Sequence, residues 1–389
     1  MQRCSGIFHR MNTTTKTFLA AIALPLASGI YACSSDGGGN ADSPGAAPTV
    51  SPSSQDAAGL PSGDAGICPA PPKQYANQPA FTPPDTRVDD YLDVLPASLG
   101  PAIDPAKGYY TAEINGGVHW VTDGMYQSMF IVTSNGVVAV DAPQTLGANL
   151  TKAIAEVTSL PVTHVIYTHS HADHIGASTV FPEGIPIIAH DETKRLLTRS
   201  ADPNRRIPTV TFSDTYTLTT GGQTIELSYP GTNHEPGNII IHLPTQRVAM
   251  MVDIVFPGWM MWKRLGVAQD VPGLVPAIDA LLAKDFDTVV TGHVGRLGTR
   301  ADVEQQKLFL TDLKEAAAKG LGGVSKSEVA ADMRPEDLAN PWAFYRGFID
   351  RAVNDCVSTM APKWQSKISG FDVWIYDQCA TMEQSVRID

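Results

Sequence analysis

Short apolar runs that alternate with turn residues recur between residues 117 and 291, and they predict β-strands. The early runs are rich in β-branched and aromatic residues, and the run Val162–Tyr167 leads directly into a cluster of histidines. The predicted strands are 117–122, 128–133, 136–140, 162–167, 186–189, 208–212, 223–228, 238–243, 247–252 and 288–291.

Two segments between these strands, 146–158 and 276–284, carry apolar residues at helical spacing. Strands that alternate with helices indicate a layered α/β domain. We therefore predict one α/β domain over residues 85–300.

The pattern changes after residue 300 and becomes mainly helical. Thr299 can cap a helix, because Asp302 follows it three residues later, and residues 342–362 are also predicted to be helical. The clearest strand in this part is predicted at 371–376. We expect residues 301–389 to form a helical C-terminal extension.

The first 33 residues are typical of an export signal rather than of a fold. After the expected start at Met11, Lys16 precedes a short apolar stretch and then small residues. Residues 30–33 resemble a bacterial lipobox, which implies a lipid on Cys33 and a lipoprotein in the periplasm or anchored to the outer membrane. Cleavage of an ordinary signal peptide, followed by secretion, is the alternative.

Residues 34–84 are predicted to form a disordered linker. The stretch 34–66 contains no Lys or Arg and is dominated by Gly, Ser, Pro and Asp. Such a composition buries too little apolar surface to offset the entropy lost on ordering.

Export bears on how the cysteines are interpreted. Without Cys4 and Cys33, three cysteines remain: Cys68, Cys356 and Cys379. An oxidising compartment permits a disulfide between Cys356 and Cys379 across a C-terminal loop. Three free thiols are the alternative.

The acidic composition excludes one class of partner. The chain has 28 Lys+Arg against 40 Asp+Glu, a net charge of −12, whereas nucleic-acid binding needs clustered cations. No apolar run reaches the roughly 18–20 residues that span a bilayer. We expect a small-molecule substrate, no nucleic acid, and membrane contact only through the N-terminal lipid.

Candidate chemistry lies directly after the strand 162–167, in the pattern His-x-His-x-Asp-His. Residues two apart in an extended segment point the same way, so His169 and His171 can bind one metal ion. Asp173 and His174 can then turn toward a second ion. Neutral imidazole and carboxylate are ligands that zinc accepts at about 2 Å.

Four residues do not complete two metal sites, so further ligands are expected downstream. His234 lies in a turn-rich loop, while Asp253 and His293 lie at strand ends. A layered fold gathers such positions along one edge, where functional sites are usually built.

These segments together resemble the metallo-β-lactamase superfamily. The matching motifs are T-H-S-H-A-D-H, G-T-N-H-E-P-G, V-D-I-V-F and T-G-H, and the strand that ends in Asp141 also resembles the family. Their gaps match as well, with 60 residues from His174 to His234, 19 to Asp253 and 40 to His293. The resemblance covers residues 108–300 and implies a four-layer αββα sandwich.

The resemblance also implies a dinuclear site. One metal ion is expected on His169, His171 and His234, and the second on Asp173, His174 and His293, with Asp253 bridging the two. The implied mechanism is hydrolysis in which a metal-bridging hydroxide attacks a carbonyl group and Asp173 acts as the catalytic residue that orients it. Two zinc ions are expected, and iron or manganese is not excluded.

Details of the motifs favour one branch of the family. A bridging carboxylate at Asp253 resembles glyoxalase II and the lactonases, and β-lactamases with the same histidine motif lack it. Ser170 stands where glyoxalase II usually has His, and Phe256 stands where quorum-quenching lactonases have Tyr. We therefore predict hydrolysis of an ester, a lactone or a related carbonyl compound.

Three other functions stay open at this point. They are β-lactam hydrolysis, an iron-dependent oxidation similar to that of persulfide dioxygenases, and a non-catalytic binding module on the cell surface. For the substrate pocket we predict Tyr126, Trp259 and Trp262. The apolar segment 257–262 either lines that pocket or packs under the C-terminal extension.

Overall fold

The computed structural model describes residues 91–389. The predicted signal peptide, the lipidation site Cys33 and the linker 34–84 lie outside the described residues, as does Cys68. Among the described residues, no helix has both the length and the apolar character that crossing a bilayer requires.

Two mixed β-sheets form the centre of the domain. The first sheet has seven strands in sequence order. They are β1 (Tyr110–Asn115), β2 (Val118–Thr122), β3 (Gln127–Thr133), β4 (Gly136–Val140), β5 (Val162–Ile166), β6 (Ile187–His190) and β7 (Val210–Phe212). Strands β1 to β4 pair antiparallel, and β4 to β7 pair parallel.

The second sheet has six strands in the order β13-β12-β11-β10-β9-β8. They are β8 (Thr215–Thr220), β9 (Gln223–Ser228), β10 (Ile240–Leu243), β11 (Val248–Met250), β12 (Thr288–Val290) and β13 (Gly298–Thr299). Only β11 and β12 pair parallel, so these two strands end at the same edge of the sheet.

Helices cover the outer face of each sheet. Those beside the first sheet are α1 (Ala148–Val157), α2 (Ala172–Ile175) and α3 (Asp191–Ser200). The others are the short turn α4 (Lys263–Val267), α5 (Leu274–Leu282), α6 (Arg300–Gly323), α7 (Lys326–Asp332), α8 (Pro341–Trp364) and α9 (Phe371–Ile388).

Three apolar cores confirm the predicted four-layer αββα arrangement. One core lies between the sheets and joins residues such as Met129 and Ile131 to Ile241 and Met250. The second packs the first sheet against α1 and α3, and the third packs the second sheet against α5, α6, α8 and α9. The helical C-terminal extension thus forms part of the outer layer of the domain.

The prediction of a strand at 371–376 was wrong, because this segment begins helix α9. Phe371, Ile375, Cys379 and Met382 are buried together at helical spacing. A six-residue apolar run does not distinguish strand from helix, and packing against α6 and α8 decides in favour of helix. The strands β1, β8 and β13 were not predicted.

The disulfide Cys356–Cys379 is present in the structure. It joins α8 to α9 rather than crossing a loop, and both cysteines are fully buried.

Candidate metal centre

The candidate ligands lie at the ends of strands from both sheets. The motif that carries His169 and His171 follows β5, and the one-turn helix α2 carries Asp173 and His174. The loop between β9 and β10 carries His234. Asp253 and His293 each lie three residues after one of the parallel strands β11 and β12. Both sheets therefore contribute to one cluster at a common edge.

Close approach of the backbone makes room for the second part of this cluster. Gly292 precedes His293 and has a φ of +86°. A Cβ atom at this position would lie 2.4 Å from Val252 Cγ1 and 3.2 Å from His174 Cε1. Only glycine fits there, which explains the small residue in the Thr-Gly-His motif.

Asp253 lies at the centre of the cluster, with one carboxylate oxygen facing each half. Its Oδ2 is 3.0 Å from His234 Nε2 and 3.3 Å from His169 Nε2. Its Oδ1 is 2.8 Å from His293 Nε2 and 3.3 Å from His174 Nε2. The backbone of Asp253 is left-handed, with a φ of 66°, which short polar residues tolerate better than most others.

The potential ligands form two groups, each with its donor atoms within 4.8 Å of one another. The first is His169, His171, His234 and Asp253, and the second is Asp173, His174 and His293. Within them, His171 Nδ1 is 2.9 Å from His234 Nε2, and His174 Nε2 is 3.0 Å from His293 Nε2. Every residue predicted as a metal ligand therefore belongs to one of these groups.

The donor atoms fit divalent cations. His169 Nε2 and Asp253 Oδ1 are buried without a hydrogen-bond partner, although both point into the cluster. Two nitrogens on a tetrahedral zinc ion at about 2.0–2.1 Å lie about 3.3 Å apart. The observed separations of 2.9 and 3.0 Å between ring nitrogens are close to that value.

Burial and the neighbouring charges of the cluster shift the pKa values of its residues in opposite directions. Burial alone would raise the pKa of the Asp253 carboxyl, but His174, His234 and His293 outweigh it and hold the pKa well below its usual value. Burial would likewise lower the pKa of His174, yet Asp253 and Asp173 raise it to about 9. Burial lowers the pKa of His169 to about 4, so this ring is neutral, as a metal ligand must be.

Glu235 supports the first group of ligands and was not among the predicted site residues. It is buried, and its Oε1 is 3.2 Å from His171 Nε2. It also accepts hydrogen bonds from the Ser170 backbone at 2.9 Å and the Ser170 hydroxyl at 2.8 Å. Burial alone would raise its pKa, but the hydrogen bond and charge of His171 lower it to about 2. Its place directly after His234 was the available sequence signal.

A second supporting chain of contacts reaches His169. Asp141 accepts hydrogen bonds from the Thr168 backbone at 2.8 Å and from the Thr168 hydroxyl at 2.7 Å. The same hydroxyl is 3.0 Å from His169 Nδ1, which leaves Nε2 of that ring facing Asp253. Contacts of this kind fix the orientation and tautomer of a ligand. Burial raises the pKa of Asp141 to about 7.

Of the three residues predicted for the substrate pocket, two lie beside the ligand cluster and the third contacts another part of the domain. The Tyr126 hydroxyl is 3.5 Å from Asp173 Oδ2, and the Trp262 ring lies 6.0 Å from the His293 ring. Trp259 instead donates its indole N–H to the carbonyl oxygen of Ser98 at 2.8 Å. The segment 257–262 therefore both approaches the cluster and packs against other parts of the domain.

Comparison with known proteins agrees with this site. The family model described as the metallo-beta-lactamase superfamily matches residues 121–293. A curated relative, the 2,4-dinitroanisole O-demethylase subunit alpha of Nocardioides sp. (strain JS1661), is 31% identical over 217 residues, which are 50% of this chain and 62% of that protein. The metallo-beta-lactamase type 2 of Bacillus sp. (strain 170) is 35% identical over 123 residues, which are 30% of this chain and 45% of that protein.

The chain thus spans between 45% and 62% of the length of these curated relatives. Among solved structures, a metallo-beta-lactamase from Pontibacter korlensis matches with a TM-score of 0.46 and 24% identity, over 52% of this chain and 99% of that one. The structure of TMB-1 matches with a TM-score of 0.45 and 18% identity, over 52% and 97%.

Proposed function

We propose that this chain, which belongs to the metallo-β-lactamase superfamily, is an exported dizinc hydrolase of esters, lactones or related carbonyl compounds. The family match and the His/Asp cluster support a metallohydrolase, and the hydrolytic activity is itself part of the proposal. The dinuclear site, the substrate class and the export are its other parts.

The dinuclear proposal depends on one observation: the two oxygens of the Asp253 carboxylate face different groups of histidines. Oδ2 faces His234 and His169, and Oδ1 faces His293 and His174, at 2.8–3.3 Å. A carboxylate that served one ion would leave the second group of ligands without a shared partner. We therefore expect the two groups of ligands to hold two cations per chain, with Asp253 available to both groups.

Two divalent cations, when bound, supply Lewis acidity and a water molecule whose pKa is lowered to about 7. The protein's own contribution is to orient that water and the substrate. Asp173 keeps 32% of its side chain exposed, so it can bind at the cluster and still orient the attacking water from the open side. Asp253 is nearly inaccessible and stays ionised.

Tyr126 is suited to hold the carbonyl oxygen of the substrate. Burial and the neighbouring Asp173 raise its pKa to about 12, so the hydroxyl keeps its proton at neutral pH and can donate it in a hydrogen bond. The side chain at Phe256, where the related lactonases have a phenol, cannot do this. We propose that Tyr126, in the connection between β2 and β3, supplies this hydrogen-bond donor instead.

The test is a hydrolysis screen with the full-length protein loaded with zinc. Aryl esters, lactones and thioesters are compared with penicillins, cephalosporins and carbapenems, and kcat/KM is measured for each. Iron- and manganese-loaded samples run in parallel, because His and Asp ligands suit all three metals. Lack of hydrolysis of every carbonyl substrate with every metal would contradict the proposal.

Esters and lactones are expected to exceed β-lactams. An amide nitrogen is a poor leaving group that needs protonation or close metal stabilisation, whereas an alkoxide leaves more readily. With cations bound, the negative charge of Asp253 would weaken the stabilisation of an anionic leaving nitrogen at the cluster. A β-lactam that exceeds every ester and lactone tenfold, about 1.4 kcal/mol in transition-state binding, would reverse this order. It would favour β-lactam hydrolysis, the activity that the name of the Bacillus relative gives.

A second candidate is hydrolysis of an electron-poor aryl methyl ether to a phenol and methanol, with water as the other reactant. Two observations favour it: the 217-residue match to the 2,4-dinitroanisole O-demethylase subunit, and the aromatic side chains beside His293. Release of 2,4-dinitrophenol from 2,4-dinitroanisole by the zinc-loaded protein would establish it. Zero release alongside measurable ester hydrolysis would exclude it.

Export with a lipid on Cys33 is the proposal for localisation. The signal-like pattern of residues 11–33 supports it, and so does the Cys356–Cys379 disulfide, because such bonds persist in oxidising compartments. Mass spectrometry of the mature protein tests it. An N-terminus elsewhere, with Cys33 absent or unmodified, would indicate ordinary secretion.

A further inference from the structure

Aromatic side chains flank only the second half of the ligand cluster. The ring centroid of Tyr126 is 4.7 Å from that of His293 and 5.7 Å from that of His174. The rings of Phe256 and Trp262 lie 6.1 and 6.0 Å from that of His293. In the described part of the chain, the ring contacts of His169, His171 and His234 are with other histidines.

These aromatic residues differ in how far a ligand can reach them. Phe256 is buried in the core beneath the C-terminal helices, so it supports His293 from behind. Tyr126 is half-buried, and Trp262 is 39% exposed. Tyr126 and Trp262 are therefore partly accessible aromatic side chains beside His293, and together they are called the aromatic wall. An aromatic ring of the substrate can stack on such a wall.

The backbone that presents Trp262 is strained. The following residues Arg264, Leu265 and Val267 have φ values of 56°, 53° and 52°, so turn α4 is left-handed. Left-handed helical geometry is unfavourable for non-glycine residues, because it brings Cβ too close to the following carbonyl oxygen. Strain of this kind persists only where the surroundings enforce it, and it occurs often at ligand-binding sites.

Helix α9 of the C-terminal extension enforces this conformation. Gln378 is fully buried, and its side-chain amide donates to the carbonyl oxygen of Trp262 at 2.8 Å and also to that of Met261. The amide oxygen of Gln378 accepts from the Leu265 N–H at 2.6 Å. Next to it, Asp377 accepts from the Arg264 N–H at 2.7 Å. The polar groups of α9 thus pair with the backbone on both sides of the bend.

We propose that Trp262 is a specificity-determining residue that selects substrates with an aromatic ring beside the scissile bond, and that Gln378 is the positioning residue that holds it there. The inference rests on the proposed hydrolase function. It also gives the C-terminal extension a role, because α9 sets the wall of a site whose ligands all lie before residue 294.

The decisive comparison uses two esters that differ only in ring type, methyl phenylacetate and methyl cyclohexylacetate. We expect the zinc-loaded full-length protein to prefer the phenyl ester in kcat/KM. Trp262→Ala should lower this preference about two- to twelvefold, the range expected from one aromatic contact, while Trp262→Phe should retain most of it. Trp342→Ala is the matched control, because Trp342 lies on α8 and is 77% exposed. A change of less than twofold in Trp262→Ala would overturn the proposal.

The positioning role of Gln378 is tested by comparing the change in KM for the phenyl ester with the change in KM for the cyclohexyl ester. Gln378→Ala should raise KM for the phenyl ester and leave KM for the cyclohexyl ester and the metal content unchanged. Asp377→Ala, at an exposed hydrogen bond, covers the case in which Gln378→Ala does not fold and should give a smaller change of the same kind. Gln384→Ala on the exposed side of the same helix is the control. Equal effects on both esters would indicate a merely structural role and overturn this part.

Calorimetric binding of phenylacetate and cyclohexylacetate separates this inference from the proposed function. Both acids are products of the esters and need no turnover. If no carbonyl substrate of the hydrolysis screen is turned over but phenylacetate binds more tightly and loses that advantage in Trp262→Ala, the hydrolase proposal fails and the inference stands. If both esters are hydrolysed and phenylacetate has no Trp262-dependent advantage in binding or in kcat/KM, the inference fails and the hydrolase proposal stands.

Discussion

Glu235 Oε1 lies 3.2 Å from Nε2 of His171, and the opposite nitrogen of that ring faces His234 at 2.9 Å. The carboxylate therefore decides which nitrogen of His171 points into the cluster. Such an outer contact holds both the ring orientation and the tautomer of a ligand.

Glu235→Gln should accordingly weaken metal binding in the first group of ligands. Loss of an outer-shell partner typically costs 10–100-fold in metal affinity or rate, so we expect an effect of about this size. Zinc affinity by competition with a chromogenic chelator measures it. Glu226→Gln is a matched control, because Glu226 also pairs with a histidine, His242 at 3.1 Å, and that pair is not part of the ligand cluster. Equal affinities for the two variants would contradict the role of Glu235.

Asp253→Ala should remove the link between the two metal ions. The variant loses the oxygens that face both groups of histidines, and it loses a buried negative charge that offsets two dications. We expect metal content to fall from two ions per chain to one or fewer, and activity to fall by at least the 10–100-fold typical of weaker perturbations. Elemental analysis of protein dialysed in metal-replete buffer measures this. Parent protein with one ion or fewer would contradict the dinuclear site.

The disulfide Cys356–Cys379 should stabilise the C-terminal helices. It closes a segment with a sequence separation of 23 residues, for which a stabilisation of about 3 kcal/mol is expected from the constrained unfolded chain. Denaturant unfolding of the Cys356→Ala/Cys379→Ala double variant should show a loss of about 2–4 kcal/mol. Reducing agent should lower the stability of the parent to a similar extent and leave that of the variant unchanged. A parent protein insensitive to full reduction would contradict the prediction.

Asp302 should make stability depend on pH in acid. It pairs with Arg296 at 2.8 Å and accepts from the Thr299 N–H at 2.7 Å as part of the cap of α6. Burial alone would raise its pKa, but Arg296 and Thr299 outweigh it and lower the pKa. A lowered folded-state pKa stabilises the fold above the unfolded value of about 3.9, and this contribution is lost as pH falls through the folded pKa.

Asp302→Asn should therefore reduce the free energy of unfolding by about 1–3 kcal/mol at neutral pH. The difference from the parent should shrink steadily below about pH 4. Denaturant titrations at several pH values give both quantities, with Asp355→Asn at an exposed position on α8 as the control. A difference that stays constant into acid would show that charge on Asp302 is not the cause.

Much of the fold followed from local patterns. Short apolar runs bounded by turn residues predicted most strands of both sheets, and the four-layer sandwich expected from the family resemblance is confirmed. The errors concern segments whose state depends on distant packing. Residues 371–376 are apolar enough for a strand, and only contact with α6 and α8 makes them helical.

The cluster residues could be predicted because their spacing is a local property of the chain. His169, His171 and His174 lie within one strand end and one helical turn, so their relative positions depend on a few backbone angles. His234 lies in a loop rich in Gly, Asn and Pro, and Asp253 and His293 each lie close after an apolar run, which the sequence also shows.

The supporting contacts were decided by the tertiary structure. Glu235 and His171 are 64 positions apart, and Gln378 and Trp262 are separated by 116, yet each pair is in contact. Gln378 does not differ in sequence from an ordinary polar residue, and the place of Glu235 directly after His234 does not show which ring it contacts. The sequence by itself determined which side chains can bind metal, since ligand chemistry belongs to the residue. Only the folded chain decided which residues orient them, because a contact between distant positions depends on the path of all the chain that lies between.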